Sequence, residues 1–290
     1  MNRPTSPAKP TPPVPPEHYG QVNDAFSRQA PIFDALDDAN PILRWMRARV
    51  RGHVLGLLGP GSRLLELNAG TGLDAAFFVR HGHFVHATDL SAGMIEQLRA
   101  RIAAQGLSER VVAEQRGYTD LEALPAGTFD GIFSNFGGLN CVPDLAPVVA
   151  QFGRLLKPGG VVVLVVMPRV SPWELAALLK GHVRMALRRF RPGGVMAQVE
   201  GAAFRTWYFD PAPLSCAFGP AFECLGWQAL GALVPPPHLT EFPRRFPRLF
   251  GLLCRAEARV ATWWPLRSCA DHIILTMRYQ NQPTPPRRAA

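Results

Sequence analysis

The sequence predicts an α/β protein: a mostly parallel sheet of seven strands with helices on both faces. Three observations carry that prediction. Apolar, strand-like runs alternate with helical patterns at short spacing from residue 63 to residue 167, which calls for crossover connections and therefore parallel strands. The run Leu64-Leu65-Glu66-Leu67 enters Asn68-Ala69-Gly70-Thr71-Gly72, a strand leading through a glycine turn into a helix N-terminus. The chain then closes with two further strand-like segments separated by a helix, which fit an antiparallel hairpin at the sheet edge.

Residues 1–18 are a low-complexity segment with proline at positions 4, 7, 10, 13 and 16, read as a disordered or polyproline-II-like tail. Residues 19–168 form the expected core. Phe26, Ile32 and Phe33 mark a short helical segment. Ile42, Trp45, Met46, Val50, Val54, Leu57 and Leu58 make a helical stripe opened by Pro41 and ended by Gly59-Pro60-Gly61. Strands follow at 63–67, 84–89, 111–115, 129–136 and 161–167. Helices are expected near 74–81, from Ser91 as cap to about 104, and from about 145 to 156. Residues 169–221 are a basic insert, with Trp173–Phe190 patterned as one amphipathic helix and Phe204–Phe209 as a short aromatic strand or loop. Residues 222–279 supply the closing strands, Phe222–Val234 and Asp271–Tyr279, around a helix at Phe246–Ala261. Residues 280–290 read as a second disordered tail.

The 290 residues suffice for a substantial core, and 47% hydrophobic with 18% charged residues is ordinary for a globular protein. No apolar run approaches the roughly 18 residues that span a bilayer. The N-terminus lacks a signal-peptide pattern, so the expected location is the cytoplasm. The five cysteines contain no C-x-x-C pair, which predicts reduced thiols and no metal site. The net charge of +9 is uneven. Residues 1–168 hold 15 basic and 15 acidic residues, whereas residues 169–290 hold 16 basic and 7 acidic. The basic half either keeps its surface solvated or faces an anionic substrate or membrane surface.

Ligands of such sheets sit at the carboxyl ends of the strands, where Glu66, Asp89, Tyr118, Thr119 and Asn135 fall. Gly70-Thr71-Gly72-Leu73-Asp74-Ala75 matches the dinucleotide fingerprint, and Asp89 lies 17 residues past Gly72, so NAD(P) is one candidate. Glu66 argues against it. A carboxylate there repels a pyrophosphate but accepts hydrogen bonds from an ammonium group or a water.

Taken together, Glu66-Leu67-Asn68-Ala69-Gly70-Thr71-Gly72, Asp89, Gly117-Tyr118-Thr119-Asp120 with Leu124-Pro125, Phe129-Asp130 with Ser134-Asn135-Phe136, and Leu155-Leu156-Lys157-Pro158-Gly159-Gly160 resemble the class I S-adenosylmethionine-dependent methyltransferases. The resemblance covers about residues 20–168 and the last strand, and it implies a Rossmann-like fold. Asn68 stands where the family's first motif glycine belongs, and the family's acid is missing at Tyr118. The Asn-Ala-Gly-Thr-Gly loop, with Ser134–Cys141, is similar to a bacterial small-molecule branch. The resemblance implies that Glu66, Asn68, Ala69, Gly70 and Gly72 form the nucleotide loop and that Asp89 takes the ribose hydroxyls. Leu90 and Met94 then flank the adenine, Tyr118 or Thr119 lies beside it, and Asn135 and Phe136 close the fourth-strand end. It further implies that N-terminal aromatics, among them Tyr19, Phe26 and Phe33, lie over the cofactor, with Arg28 reaching its carboxylate.

Methyl transfer from a sulfonium needs alignment and exclusion of water more than acid–base groups, so the lack of a catalytic triad does not weigh against it. A base serves only a weakly acidic acceptor, and Tyr208 and His182 are the candidates here. The expected acceptor is a small apolar or anionic metabolite. Nucleic acid is disfavoured, because Ser134-Asn135-Phe136-Gly137 replaces the Asn-Pro-Pro-aromatic element that would hold a flipped base. The competing readings are an NAD(P)-dependent oxidoreductase and a protein that binds cofactor without catalysis.

Overall fold

A computed structural model describes residue 15 and residues 17–281. The two terminal tails expected from the sequence therefore lie almost wholly outside the described residues. Helix α1 (Glu17–Ala39) and helix α2 (Pro41–Leu55) precede the sheet. The N-terminal boundary expected at residue 19 moves, because α1 starts at Glu17 and buried His18 bonds the Cys141 carbonyl through Nε2 at 2.7 Å. Nor is α1 short. It runs 23 residues with Pro31 inside it, and its buried face is built from Val22, Ala25 and Ala30. Asn40 caps α2, accepting from the N–H groups of Ile42 and Leu43.

The core alternates as the sequence patterns require: β1 (Arg63–Leu67), α3 (Leu73–Arg80), β2 (Phe84–Asp89), α4 (Ala92–Gln105), β3 (Val111–Gln115), β4 (Phe129–Ser134), α5 (Ala146–Val149), α6 (Phe152–Leu155) and β5 (Leu156–Val166). The single helix expected over 145–156 is split into two short turns. After β5 come α7 (Pro172–Leu175), α8 (Val183–Ala186), β6 (Val195–Val199), β7 (Ala202–Thr206), α9 (Pro211–Ala217), β8 (Phe222–Leu230), α10 (Glu241–Arg245), α11 (Pro247–Val260) and β9 (His272–Tyr279). The seven-stranded sheet has the order β3-β2-β1-β4-β5-β9-β8. Strands β1 to β5 are parallel; β9 is antiparallel to both β5 and β8. This is the Rossmann-like, mostly parallel sheet that the sequence predicts.

Both faces are covered. Leu65, Leu67, Ile132, Val162 and Leu275 pack on one side, and Leu64, Phe78, Phe133, Val163 and Ile274 on the other. Alternate residues of each buried strand thus supply opposite faces, which is why these strands read as unbroken apolar runs.

The amphipathic helix expected over Trp173–Phe190 does not form. Short α-helical and 3-10 turns replace it, broken at Gly181 (φ 75°), and Leu179 stands 91% exposed. Its apolar and basic residues do not share one face. The insert instead contributes a two-stranded sheet, β6 with β7. That hairpin packs on α1, with the Phe26 and Phe204 rings 5.4 Å apart.

Candidate functional site

The carboxyl ends of β1, β2 and β4 open into a cavity of about 290 Å³. β1 delivers Glu66 as a fully buried carboxyl whose Oε2 has no hydrogen-bond partner. Burial above all, with the charges of Asp74 and Asp89, pushes Glu66 well above the ordinary carboxyl range, against the pull of Arg47 and Arg51. A buried polar atom without a partner is costly unless something else satisfies it.

The loop after β1 then turns sharply. Asn68 (φ 48°) and Gly70 (φ 57°) are both left-handed, a conformation that glycine and asparagine tolerate best. The Asn68 side chain cross-links the neighbouring strand end: Ser134 Oγ donates to its Oδ1 at 2.6 Å, and its Nδ2 donates to the Asn135 carbonyl at 2.9 Å. Asp89, ending β2, accepts from the Gly70 N–H and the Ser91 N–H, both at 2.8 Å. Its burial nevertheless lifts it to about 6. Leu90, Met94, Ala69 and Tyr118 complete an apolar wall, and the Tyr118 hydroxyl donates to the Gly138 carbonyl at 3.1 Å.

Of the residues singled out in the sequence, Glu66, Asn68, Ala69, Gly70, Asp89, Leu90, Met94, Tyr118, Asn135, Phe136, Phe33 and Phe26 line this cavity. Four do not. Gly72 caps α3 at φ 81°, with a Cβ's position only 2.1 Å from Leu98 Cδ1, so the turn and its packing call for glycine there. Thr119 borders a separate, shallow hollow with Tyr19 and Arg116. Arg28 points to solvent and pairs with Asp24 one turn earlier. His182 is exposed on the insert. Tyr208 is buried outside the cavity, with the Arg189 guanidinium 5.0 Å above its ring. Neither His182 nor Tyr208 stands where a base for this cavity would have to be.

The structure also brings in residues that the sequence reading passed over. Arg47 from α2 lines the cavity, donates to Asp37 at 2.7 Å and to Asp74 at 2.6 Å, and lies 4.6 Å over the Phe136 ring. Arg51 Nε and Asn135 Nδ2 also reach Asp74, at 2.6 and 2.8 Å. Burial alone would raise Asp74, but Arg47 and Arg51 outweigh it and hold it below its ordinary value. One signal was present: Arg47 falls on the buried stripe of α2, beside Met46 and Val50. An arginine on a buried face needs buried acids. Among the described residues, no group of three or more His, Cys, Asp or Glu could hold a metal ion, and no helix is long and apolar enough to cross a membrane.

Residues 64–160 match the methyltransferase domain family. The relatives agree with that match. A demethylmenaquinone methyltransferase of Clavibacter sepedonicus is 38% identical over 153 residues, 50% of this chain and 57% of its own length. An S-adenosyl-L-methionine-dependent Diels-Alderase, iccD of Talaromyces variabilis, is 33% identical over 53% of this chain and 49% of its own length. The chain spans about half to three-fifths of the length of the first curated relatives it matches. The crystal structure of the [4+2]-cyclase SpnF shares the fold along almost the whole chain, with a TM-score of 0.60, 17% identity, and coverage of 92% of this chain and 97% of that one.

The cofactor of the methyltransferase domain is S-adenosyl-L-methionine, and the residues present fit it. Glu66 offers an unpartnered carboxyl oxygen to a cation or hydroxyl donor. Gly70 keeps the loop backbone bare, and Asp89 ends the adjacent strand with its carboxylate turned into the same cavity.

Proposed function

We propose that this protein is an S-adenosyl-L-methionine-dependent methyltransferase acting on a small, apolar or anionic metabolite. The observation that carries the proposal is the apolar cavity at the strand ends, bracketed by the buried carboxyls of Glu66 and Asp89 within the matched domain. In this reading Asp89 takes the ribose hydroxyls, and Leu90, Met94 and Tyr118 form the adenine slot. The loop Asn68-Ala69-Gly70 passes along the amino-acid part, whose ammonium Glu66 or its bound water receives. We also keep the Asn-Ala-Gly-Thr-Gly loop as the mark of a bacterial branch.

When bound, the cofactor supplies an electrophilic methyl group on a sulfonium. The protein's own contribution is position and dryness. Phe33, Phe136 and Phe204 wall the cavity with apolar surface, and the hairpin β6–β7 roofs it through Ala197 and Thr206. Arg47 is neutralised by Asp37 and Asp74, so it anchors α2 across the cavity mouth as one fixed wall. Reactant alignment of this kind accounts for a large share of the barrier reduction in displacement reactions, on the order of 7–11 kcal/mol at best.

Calorimetry with S-adenosylhomocysteine tests the proposal. Glu66→Ala and Asp89→Ala are each expected to weaken binding by at least about tenfold, roughly 1.4 kcal/mol. Unchanged binding in both variants, or preferential binding of NADH, would sink it. Accumulation of S-adenosylhomocysteine with a methylated acceptor separates transfer from mere retention of the cofactor.

A further inference from the structure

A second cavity, of about 620 Å³, adjoins the first and shares Phe33, Arg47, Phe136 and Met167 with it. Leu36 and Leu43 from α1 and α2 add apolar surface on one side, and Pro237, Thr240 and Arg244 bound the other. His272 also lines it. Because β9 runs antiparallel to β5, its first residue stands at the end of the sheet where β1 to β5 finish.

His272 is not a free surface imidazole. Its side chain is 9% exposed, and Nδ1 lies 3.0 Å from Asp271 Oδ2. The other Asp271 oxygen accepts from Arg189 Nη2 at 2.9 Å, while Arg189 Nη1 donates to the Pro168 and Asp271 carbonyls. Burial would raise the Asp271 carboxyl, but His272 and Arg189 more than offset it and hold it at about 2. Asp271 is therefore an anion that accepts a hydrogen bond from Nδ1–H, the tautomer in which the imidazole lone pair is on Nε2. Among the described residues Nε2 has no hydrogen-bond partner, and it is not one of the sealed, unpartnered atoms. It sits beside Gly137, 3.4 Å from where a Cβ would be, with the Phe136 ring edge-on at 6.2 Å.

We propose that the 620 Å³ cavity receives the methyl acceptor, that the acceptor is a phenol or enol, and that His272 is its general base with Asp271 as positioning residue. The inference rests on the methyltransferase reading. A carboxylate attacks a sulfonium without help, whereas a phenol or enol must first give up its proton, so an Asp-oriented imidazole facing the acceptor space fits an attacking oxygen that carries one. In the step, the O–H bond breaks and its proton goes to Nε2. The oxygen electron pair forms the new C–O bond, and the S–C electron pair leaves with sulfur as a neutral thioether. The charged groups facing His272 are Asp271, just before its strand, and, across the cavity, Asp37, Arg47, Glu241 and Arg244, with Arg189 and Glu174 behind Asp271. Arg47 is paired with Asp37 and Asp74, and the Asp271 carboxylate is in direct contact with the imidazole.

The probe is para-nitrophenol, whose phenol and phenolate forms absorb at different wavelengths. It is titrated into the full-length protein saturated with S-adenosylhomocysteine. The wild type is expected to hold it as phenolate about one pH unit below its midpoint in water, a roughly tenfold shift in the ionisation equilibrium. His272→Gln is expected to bind it within about threefold of wild type but as the neutral phenol. Asp271→Asn, which leaves Arg189 paired with Glu174, is expected to retain binding and lose most of the shift. The same bound spectrum in wild type and His272→Gln overturns the assignment, and so does failure of the wild type to bind the phenol at millimolar concentration. S-adenosylhomocysteine affinity, measured alongside, reports on folding of both variants. If it is intact while the spectrum is indifferent to residue 272, only the base assignment falls; if the wild type itself does not bind S-adenosylhomocysteine, the methyltransferase reading falls first.

Discussion

Asn68 illustrates how a motif position can change residue and keep its backbone. Its φ of 48° is the conformation for which glycine is the default, and asparagine is the side chain that adopts it at least cost. The added volume is matched nearby: a Cβ on Gly138 would lie 2.3 Å from Asn68 Cγ, so the two loops have divided one space between them. Glu66 and Asp89 were legible because an acid that ends an apolar run demands an explanation. Arg47 left one trace, its place on the buried stripe of α2, and His272 left none, because it lines a cavity that only the fold creates. At this scale the buried Asp89 gives a pH prediction. Its carboxyl stands at about 6, raised by burial against the Ser91 and Gly70 hydrogen bonds. A folded-state value above the unfolded one means that stability from this group is full at low pH and is lost as pH rises through about 6. A ligand hydroxyl donating to the carboxylate prefers the charged form, so affinity runs the other way. S-adenosylhomocysteine binding is expected to strengthen from about pH 5 to pH 7, by up to roughly tenfold per unit below 6, with Asp89→Asn removing one proton from that slope in calorimetry.

Periodicity located the strands well and the insert badly. β3 falls where its pattern put it, and β9 begins one residue later than expected. The 173–190 pattern failed for a physical reason: two of its charged residues are tied inward. Glu174 accepts from Arg188 and Arg189 at 2.7 Å each, and Arg189 continues to Asp271, so ion pairs rather than an apolar stripe set this segment's course. A comparable device holds the turn after β8. Glu257 of α11 is fully buried and accepts the N–H groups of Gly231, Leu233 and Val234 at 2.5, 2.9 and 2.8 Å. Glu257→Ala leaves three backbone donors without their acceptor. It is expected to lower stability by about 3 kcal/mol in urea unfolding, while an exposed change such as Glu241→Ala stays within about 0.5 kcal/mol.

For the whole molecule, alternation of strand and helix was enough to state a parallel sheet but not to order it. The order depends on which edges meet, and β9, the last strand made, lies between β5 and β8. It pairs with Val161–Val166 of β5 through Arg278–Ile273. Those six β5 residues are all buried. Removing residues 272–279 would leave that valine-rich strand as a bare edge, the kind that recruits other chains. The truncated protein is expected to aggregate in sedimentation, whereas full-length His272→Gln stays in solution.

That arrangement orders events on the ribosome. Residues 63–167, with the cofactor loop and every parallel strand, emerge about a hundred residues before the strand that covers β5. For that interval the nascent chain carries the strand-end residues of the proposed cofactor site, still without the β6–β7 roof, and an open, adhesive sheet edge at once. A cofactor that bound early would stabilise the half-built sheet in proportion to its concentration over its Kd. The small molecule would then act during biogenesis as a folding aid before it could serve as a reagent.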